Sequence, residues 1–143
     1  MSAEDHIYKV GGTPKRKEDA RFTTGTGCYL DDMVFEDLVH AVFLRSSHAK
    51  ADIRNIDISN ARAVPGVIAV LTAVDLAADG IGDLEPYIQA NTMTGTPFAW
   101  GPQPLLARNQ VRYVGEPIVM ILAESKIVAA DAAELVQVIY REN

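Results

Sequence analysis

The sequence predicts an α+β fold, built as a mixed β-sheet with two main helical segments. Residues 118–123 are six consecutive apolar residues, and such a run without polar alternation predicts a strand buried on both faces. In residues 125–135 the period changes to that of a helix, because Val128, Ala132 and Leu135 recur at spacings of four and three. We expect this stripe of side chains to face the sheet.

The rest of the chain supplies neighbours for this strand and helix. Their order is strand, strand, helix, strand, long loop, strand, helix, strand, which is typical of two β–α–β halves in an α+β domain. Composition and period predict a helical turn at 17–22, a turn entering a brief strand at 24–32, strands at 38–44, 51–58, 67–71 and 136–140, and short helices at 59–64 and 72–76.

The first of the two short helices has a defined start and end in the sequence. Ser59 is expected to cap it, because a serine hydroxyl at that position accepts a hydrogen bond from an unpaired backbone N–H group. Pro65 and Gly66 are expected to end it, since the residue before proline avoids helical dihedral angles and glycine accepts the positive φ of a turn.

Residues 77–110 are irregular, and five of the seven prolines fall between Pro86 and Pro117. A long segment of this kind in a compact domain is usually a functional loop or a disordered one. Phe98 and Trp100 stand in it, and they form either a small core within the loop or the wall of a pocket. The residues alone favour the small core, because long ordered loops pack on their own side chains.

Length and composition indicate one domain of 143 residues, in which residues 1–37 form an extended N-terminal arm and residues 38–143 form the core. The net charge of −6 argues against a nucleic-acid partner, because phosphate binding requires a basic surface. No stretch is apolar enough to predict a membrane span. One cysteine and no secretory signal predict a cytoplasmic location.

No motif for catalysis or metal binding emerges from the residue types. Gly25 and Gly27 lack the third glycine and the helix of a dinucleotide loop, so they predict a turn. Asp31 and Asp32 would face opposite ways on a strand, and Cys28 has no histidine at motif spacing. The three histidines, His6, His40 and His48, are far apart. The loop acids Asp75, Asp79, Asp83 and Glu85 lack the spacing of a calcium loop.

Several segments, taken in order over nearly the whole chain, resemble the N-terminal α/β hammerhead domain of molybdenum hydroxylase large subunits. This family includes xanthine dehydrogenase, aldehyde oxidase and aerobic carbon monoxide dehydrogenase. The segments that carry the resemblance are Gly12–Arg21, Thr24–Asp32, Leu44–Ala49, Ile56–Ala61, Pro65–Val67, Leu71–Leu76, Val111–Pro117 and Ala129–Glu134.

The resemblance implies that the chain is one part of a molybdenum-dependent oxidoreductase, inactive by itself and without a cofactor of its own. In the complete enzyme it implies a molybdopterin-type molybdenum cofactor, iron–sulfur clusters and FAD. The expected partners are the molybdenum-binding region of the same large subunit and the iron–sulfur and flavin subunits or domains. An interface left exposed in the isolated chain would also allow homo-oligomers.

Two sets of residues acquire a role through the resemblance. In the family, the loop before the Arg-Tyr-Val-Gly stretch contributes apolar residues to the channel that leads to molybdenum. Counted back from Tyr113, these positions correspond to Ala99 and Trp100, with Phe98 beside them. The resemblance thus favours a channel wall over a small loop core. The structural landmark of the family consists of Arg112, Tyr113, Gly115, Glu116 and Pro117, where Glu116 is expected to be a turn and interface residue.

Two other origins of such a chain stay open at the level of sequence. It could be a separately encoded, non-catalytic interaction subunit of such an enzyme, or an unrelated domain that binds a small molecule. If the resemblance holds, the chain is an expressed fragment, a split subunit or a degraded gene. The substrate is open among carbon monoxide, aldehydes, purines and N-heterocycles.

Overall fold

The computed structural model of the chain describes residues 16–85, 91–96 and 101–142, which fall into two compact units on either side of the Asp37–Leu38 bond. In the first unit, helix α1 (Asp19–Thr23) is followed by a 3₁₀ helix at Leu30–Asp32, where a brief strand was expected. The rings of Phe22 and Tyr29 stack with centroids 4.7 Å apart. That residues 1–37 are an arm of one domain with the rest stays a prediction.

The second unit confirms the α+β class. It contains two three-stranded sheets and three α-helices among its described residues. Its elements are β1 (His40–Arg45), β2 (Ala51–Asp57), α2 (Ser59–Arg62), β3 (Val67–Leu71), α3 (Ala73–Ala78), β4 (Gln110–Val111), β5 (Pro117–Ala123), α4 (Lys126–Glu134) and β6 (Gln137–Glu142).

Sheet A has the order β1-β5-β3, with both pairings antiparallel. Its central strand is the apolar run that the sequence indicated, and Val119, Ile121 and Ala123 are fully buried in the core. Helix α4 packs on this face of the sheet through small buried residues, Ala129, Ala132 and Ala133, which allow close approach. Two residues of the expected stripe follow the prediction, since Val128 packs against the core and Ala132 is fully buried, whereas Leu135 is 44% exposed.

Sheet B has the order β4-β2-β6, again antiparallel throughout. The single mixed sheet expected from the sequence is thus wrong, and two antiparallel sheets take its place. The cause is the last strand, β6, which pairs with β2, far earlier in the sequence, instead of pairing with β5. Ile53, Ile56, Val138 and Tyr140 pack from this sheet against the same hydrophobic cluster that lies under α4, so the two sheets share one core.

The helix ends correct the capping prediction. Helix α2 begins at Ser59 itself. The backbone N–H of Ser59 donates to Oδ1 of Asp57 at 2.9 Å, so an aspartate takes the role expected of Ser59. In α3, Oδ2 of Asp75 accepts hydrogen bonds from the backbone N–H and hydroxyl of Thr72 at 2.7 and 2.6 Å. With α1 and α4, these short helices make four α-helices in the described residues, at the four places where the sequence predicted a helix or a helical turn.

Candidate functional site

The landmark residues form a tight turn that leads into β5. Gly115 has φ = 90°, which favours glycine because a side chain is strained at positive φ. The backbone N–H of Glu116 donates to the carbonyl of Tyr113 at 3.2 Å and closes the turn. A glycine at this position is thus required by the backbone.

The carboxylate of Glu116 is buried, with only 2% of the residue exposed. Its Oε2 accepts a hydrogen bond from the backbone N–H of Arg112, four residues earlier. The acid therefore holds together the turn in which it stands. Little of Glu116 reaches the surface of the isolated chain, and its role in an interface stays a prediction.

A second turn, residues 45–49 between β1 and β2, is joined to the landmark turn by three hydrogen bonds. Ser46 N donates to Glu116 O at 2.8 Å, and Gly115 N donates to Ser46 O at the same distance. Nη1 of Arg45 donates to Gly115 O at 2.9 Å. The hydroxyl of the buried Ser46 accepts from the backbone N–H of His48 at 3.0 Å and donates to its carbonyl at 2.9 Å.

This second turn also contacts the last strand. The rings of His48 and Tyr140 lie with centroids 4.3 Å apart and planes tilted by 32°. Burial raises the pKa of the Tyr140 phenol above its ordinary value, against the opposing effect of a hydrogen bond with Ser46. A half-buried phenol beside an imidazole is a packing contact, and neither ring lines the groove described below.

The irregular segment is fixed at its root. Leu84 and Gln103 form an isolated antiparallel bridge, in which each backbone N–H donates to the other carbonyl at 2.9 Å. Nη2 of Arg108 lies 2.6 Å from Oδ1 of Asp83. Residues 84–103, called the 84–103 loop below, therefore leave and re-enter the fold at one place.

The same root is tied to the landmark turn. Nε2 of Gln103 lies 3.3 Å from the phenol oxygen of Tyr113, and the two groups are hydrogen-bonded. Within the loop, a turn at 92–96 is closed by Thr92 N donating to Thr96 O at 2.8 Å, with Gly95 at φ = 81°. The three channel candidates, Phe98, Ala99 and Trp100, lie outside the described residues.

A groove of about 670 Å³ runs between β2, α3 and residues 107–109. Three arginines line it, and each has an aspartate partner. Arg54 lies 3.6 Å from Asp52, Arg62 lies 3.6 Å from Asp75, and Arg108 pairs with Asp83 as above. The positive charge of the groove is therefore partly balanced by neighbouring carboxylates.

The residue types tested for chemistry do not converge. Cys28 is exposed, and Oδ2 of Asp32 accepts from the backbone N–H of Tyr29 at 2.9 Å. Within residues 16–85, 91–96 and 101–142, no three His, Cys, Asp or Glu side chains are grouped as a metal site requires. In the same residues no helix has the length and apolar character needed to cross a membrane. His6 lies outside the described part.

Two features of the site went unnoticed in the sequence. The pairing of the Ser46 turn with the landmark turn has no local signal, since the two are about 70 residues apart. The contact between Gln103 and Tyr113 likewise joins residues that no periodicity relates. A weak signal existed for the first, because Arg45 to Ala49 and Arg112 to Pro117 both belong to the segments that carry the family resemblance.

Residues 24–143 match the model of the family described as "Aldehyde oxidase and xanthine dehydrogenase, a/b hammerhead domain". Among curated relatives, the nicotine 6-hydroxylase large subunit of Paenarthrobacter nicotinovorans is 42% identical over 127 residues, which are 89% of this chain and 15% of that one. The carbon monoxide dehydrogenase large chain of Afipia carboxidovorans is 40% identical over 136 residues, or 95% of this chain and 16% of that one.

Solved structures agree with this assignment of the fold. Quinoline 2-oxidoreductase from Pseudomonas putida 86 aligns with a TM-score of 0.80 and 36% identity over 94% of this chain and 16% of its own. The chain thus spans about one sixth of the length of the relatives that it matches.

Proposed function

Because the chain belongs to the a/b hammerhead domain family of aldehyde oxidase and xanthine dehydrogenase, we propose that it is the hammerhead part of a molybdenum hydroxylase large subunit. Its role there is to pack on the molybdenum-binding region and to shape the path of substrate with the 84–103 loop. The chemistry takes place outside this chain, which has no turnover alone.

The observation that carries the proposal is the fixed root of the loop. The loop is anchored by the Leu84–Gln103 bridge, the Asp83–Arg108 ion pair and the Gln103–Tyr113 hydrogen bond. The last of these ties it to the turn that Gly115 and Glu116 hold rigid. Loops on such a rigid base are where binding residues are usually placed, and Phe98, Ala99 and Trp100 belong to this loop.

The residues of this chain do not fit the iron–sulfur clusters of the complete enzyme. Iron–sulfur clusters are held by several cysteine thiolates, and the chain has one cysteine, Cys28. No group of three possible ligands meets among the described residues. The iron–sulfur clusters are therefore assigned to the other subunits or domains of the enzyme, and the family resemblance assigns the molybdopterin-type cofactor and FAD outside this chain as well.

The partners follow from the same assignment. They are the molybdenum-binding region of the large subunit and the iron–sulfur and flavin subunits or domains, with residues 1–37 as an arm of the same domain. The single cysteine favours a reducing compartment such as the cytoplasm.

The test uses the complete enzyme, assembled with its other subunits and the arm intact. Trp100→Ala widens the proposed channel, and Ala99→Phe narrows it. We measure kcat/KM with nicotine, quinoline, hypoxanthine and benzaldehyde, with an artificial electron acceptor. The ratio of kcat/KM between the largest and smallest accepted substrates should change by about tenfold or more, in opposite directions for the two variants.

The control is Ile139→Ala, which removes an exposed apolar side chain from β6, away from the loop. It should leave all kcat/KM ratios unchanged. The channel role is wrong if Trp100→Ala instead changes kcat/KM by the same factor for every substrate. It is also wrong if the variant lowers the free energy of unfolding by about 3 kcal/mol or more, because a loss of that size shows that the ring belongs to the core.

A further inference from the structure

Sheet A is apolar on both faces. One face carries Val119 and Ile121 and lies under α4. The opposite face shows two cross-strand rows, because residues opposite each other in an antiparallel pair point to the same side. The rows are Ala41–Leu122–Ala69 and Phe43–Met120–Leu71, and we call these six residues the second face of sheet A.

The second face is not part of the core. Phe43 is 41% exposed and Ala41 is exposed, while Met120, Leu122, Ala69 and Leu71 are half-buried. The six residues are absent from the hydrophobic cluster that α4 covers and from the partly buried side chains that pack against it. The face ends at Ile118, which is fully buried.

Sheet B of the same chain shows the pattern of a solvent-facing surface. Its outer side carries the pairs Asp52–Arg141, Asn55–Ile139 and Asp57–Gln137, in which five of six residues are polar. In an antiparallel sheet with one solvent-exposed face, apolar and polar residues normally alternate along each strand in this way. Sheet A lacks a polar side, so its sequence is that of a sheet covered on both faces.

The second face continues into the site described above. Arg45 stands at its border, with its guanidinium carbon 5.6 Å from the Phe43 ring centroid and its Nη1 on the carbonyl of Gly115. The landmark turn holds the root of the 84–103 loop through Tyr113 and Gln103. A partner seated on the second face would therefore also lie beside the root of that loop.

We infer that the second face of sheet A is the docking surface for the molybdenum-binding region of the large subunit, which covers it with an apolar surface of its own. The relatives have about five sixths of their length outside the part that this chain matches, so a large polypeptide is available as the occupant. Large exposed apolar patches are typical of protein–protein contacts. The inference rests on the proposed function and adds to it the surface through which the two regions meet.

The test measures binding between the tagged 143-residue chain and the separately expressed polypeptide that carries the molybdenum-binding region in the same organism. Phe43→Glu places a charge in the centre of the proposed contact, and Ala41→Glu does so in the neighbouring row. The matched control is Ile139→Glu, also an exposed apolar residue of an edge strand, on the outer side of sheet B. Thermal unfolding of each variant shows that it is folded.

Phe43→Glu should raise the Kd by about 100-fold and Ala41→Glu by about tenfold, since an unpaired charge is costly to bury at an interface. Ile139→Glu should leave the Kd within about threefold, because rim and distant residues contribute little. Equal effects of Phe43→Glu and Ile139→Glu, or none for Phe43→Glu and Ala41→Glu, would overturn the inference while leaving the proposed function intact.

Light scattering on the wild-type chain tests whether a second copy of the chain occupies the second face instead. A dimer that Phe43→Glu converts to monomer, together with no binding to the molybdenum-binding polypeptide, would mean that a second copy covers the face. Failure of the wild-type chain to bind in any form would count against the proposed function itself, which requires the two regions to pack together.

Discussion

Replacing Gly115 by valine tests how strongly the landmark turn depends on its backbone. Gly115 has φ = 90°, and a Cβ built there meets no heavy atom within 4 Å outside its chain neighbours. A clash therefore contributes nothing, and the cost is the strain of a side chain at positive φ, about 1 kcal/mol for alanine and about 2 kcal/mol for branched valine. A loss of about 2 kcal/mol should lower the Tm of a chain of this length by roughly 6 °C.

The assay is thermal and urea unfolding of the whole chain, followed by far-ultraviolet circular dichroism. Gly82→Val is the matched control, because that glycine has an ordinary φ and also meets no atom within 4 Å. Its stability should stay within about 0.5 kcal/mol of wild type. Equal shifts for the two valine variants would refute the reasoning, since they would show that the positive φ of Gly115 costs the turn nothing.

Two further predictions concern pH. Hydrogen bonds from Thr72 hold the pKa of Asp75 below its usual value, so the stability that this carboxylate contributes is present above about pH 4 and lost as pH falls through the lowered pKa. Urea unfolding at pH 6 and pH 3 should show a smaller acid loss in Asp75→Asn than in wild type; equal losses would count against this. Burial raises the pKa of Tyr140, so its contribution is complete below about pH 10 and lost as pH rises through the raised pKa. Tyr140→Phe should remove that part of the alkaline decline in Tm between pH 8 and 11, and an unchanged decline would contradict the assignment.

The central strand and its flanking helix could be predicted because their signals are local. Six apolar residues in 118–123 indicate burial on both faces, and β5 is indeed the middle strand of sheet A. The helix after it was placed correctly, yet its buried side is made of alanines, and the larger Leu135 is 44% exposed. Hydrophobicity alone favours the larger residue, whereas close packing of a helix on a sheet favours the small ones.

Strand pairing could not be predicted, because it is a long-range property. Strand β5 is followed by a helix and then by β6, an order that suggested one sheet, but β6 pairs with β2. The two-residue strand β4 has no periodicity to detect and exists only through its pairing with Ala51 and Asp52. Local chemistry also decided the start of α2, where Asp57 accepts the backbone N–H of Ser59, so that Ser59 is the first helical residue and not the cap.

For the site, the positive φ suited to Gly115 could be expected from a glycine in a Gly-Glu-Pro turn, and the structure agrees. The burial of Glu116 could not, since a carboxylate is normally exposed, and here its bond with the Arg112 backbone helps to make burial acceptable. The channel role of Phe98, Ala99 and Trp100 stays a prediction.

The most direct test of the central claim is the distance between Trp100 and a bound substrate in the assembled enzyme, measured from a structure of the complex. If the 84–103 loop shapes the path of substrate, the Trp100 ring should lie in van der Waals contact with the substrate or its entry path, within about 4.5 Å. A ring packed inside the loop or under the sheets, with no contact to substrate or path, would contradict the account.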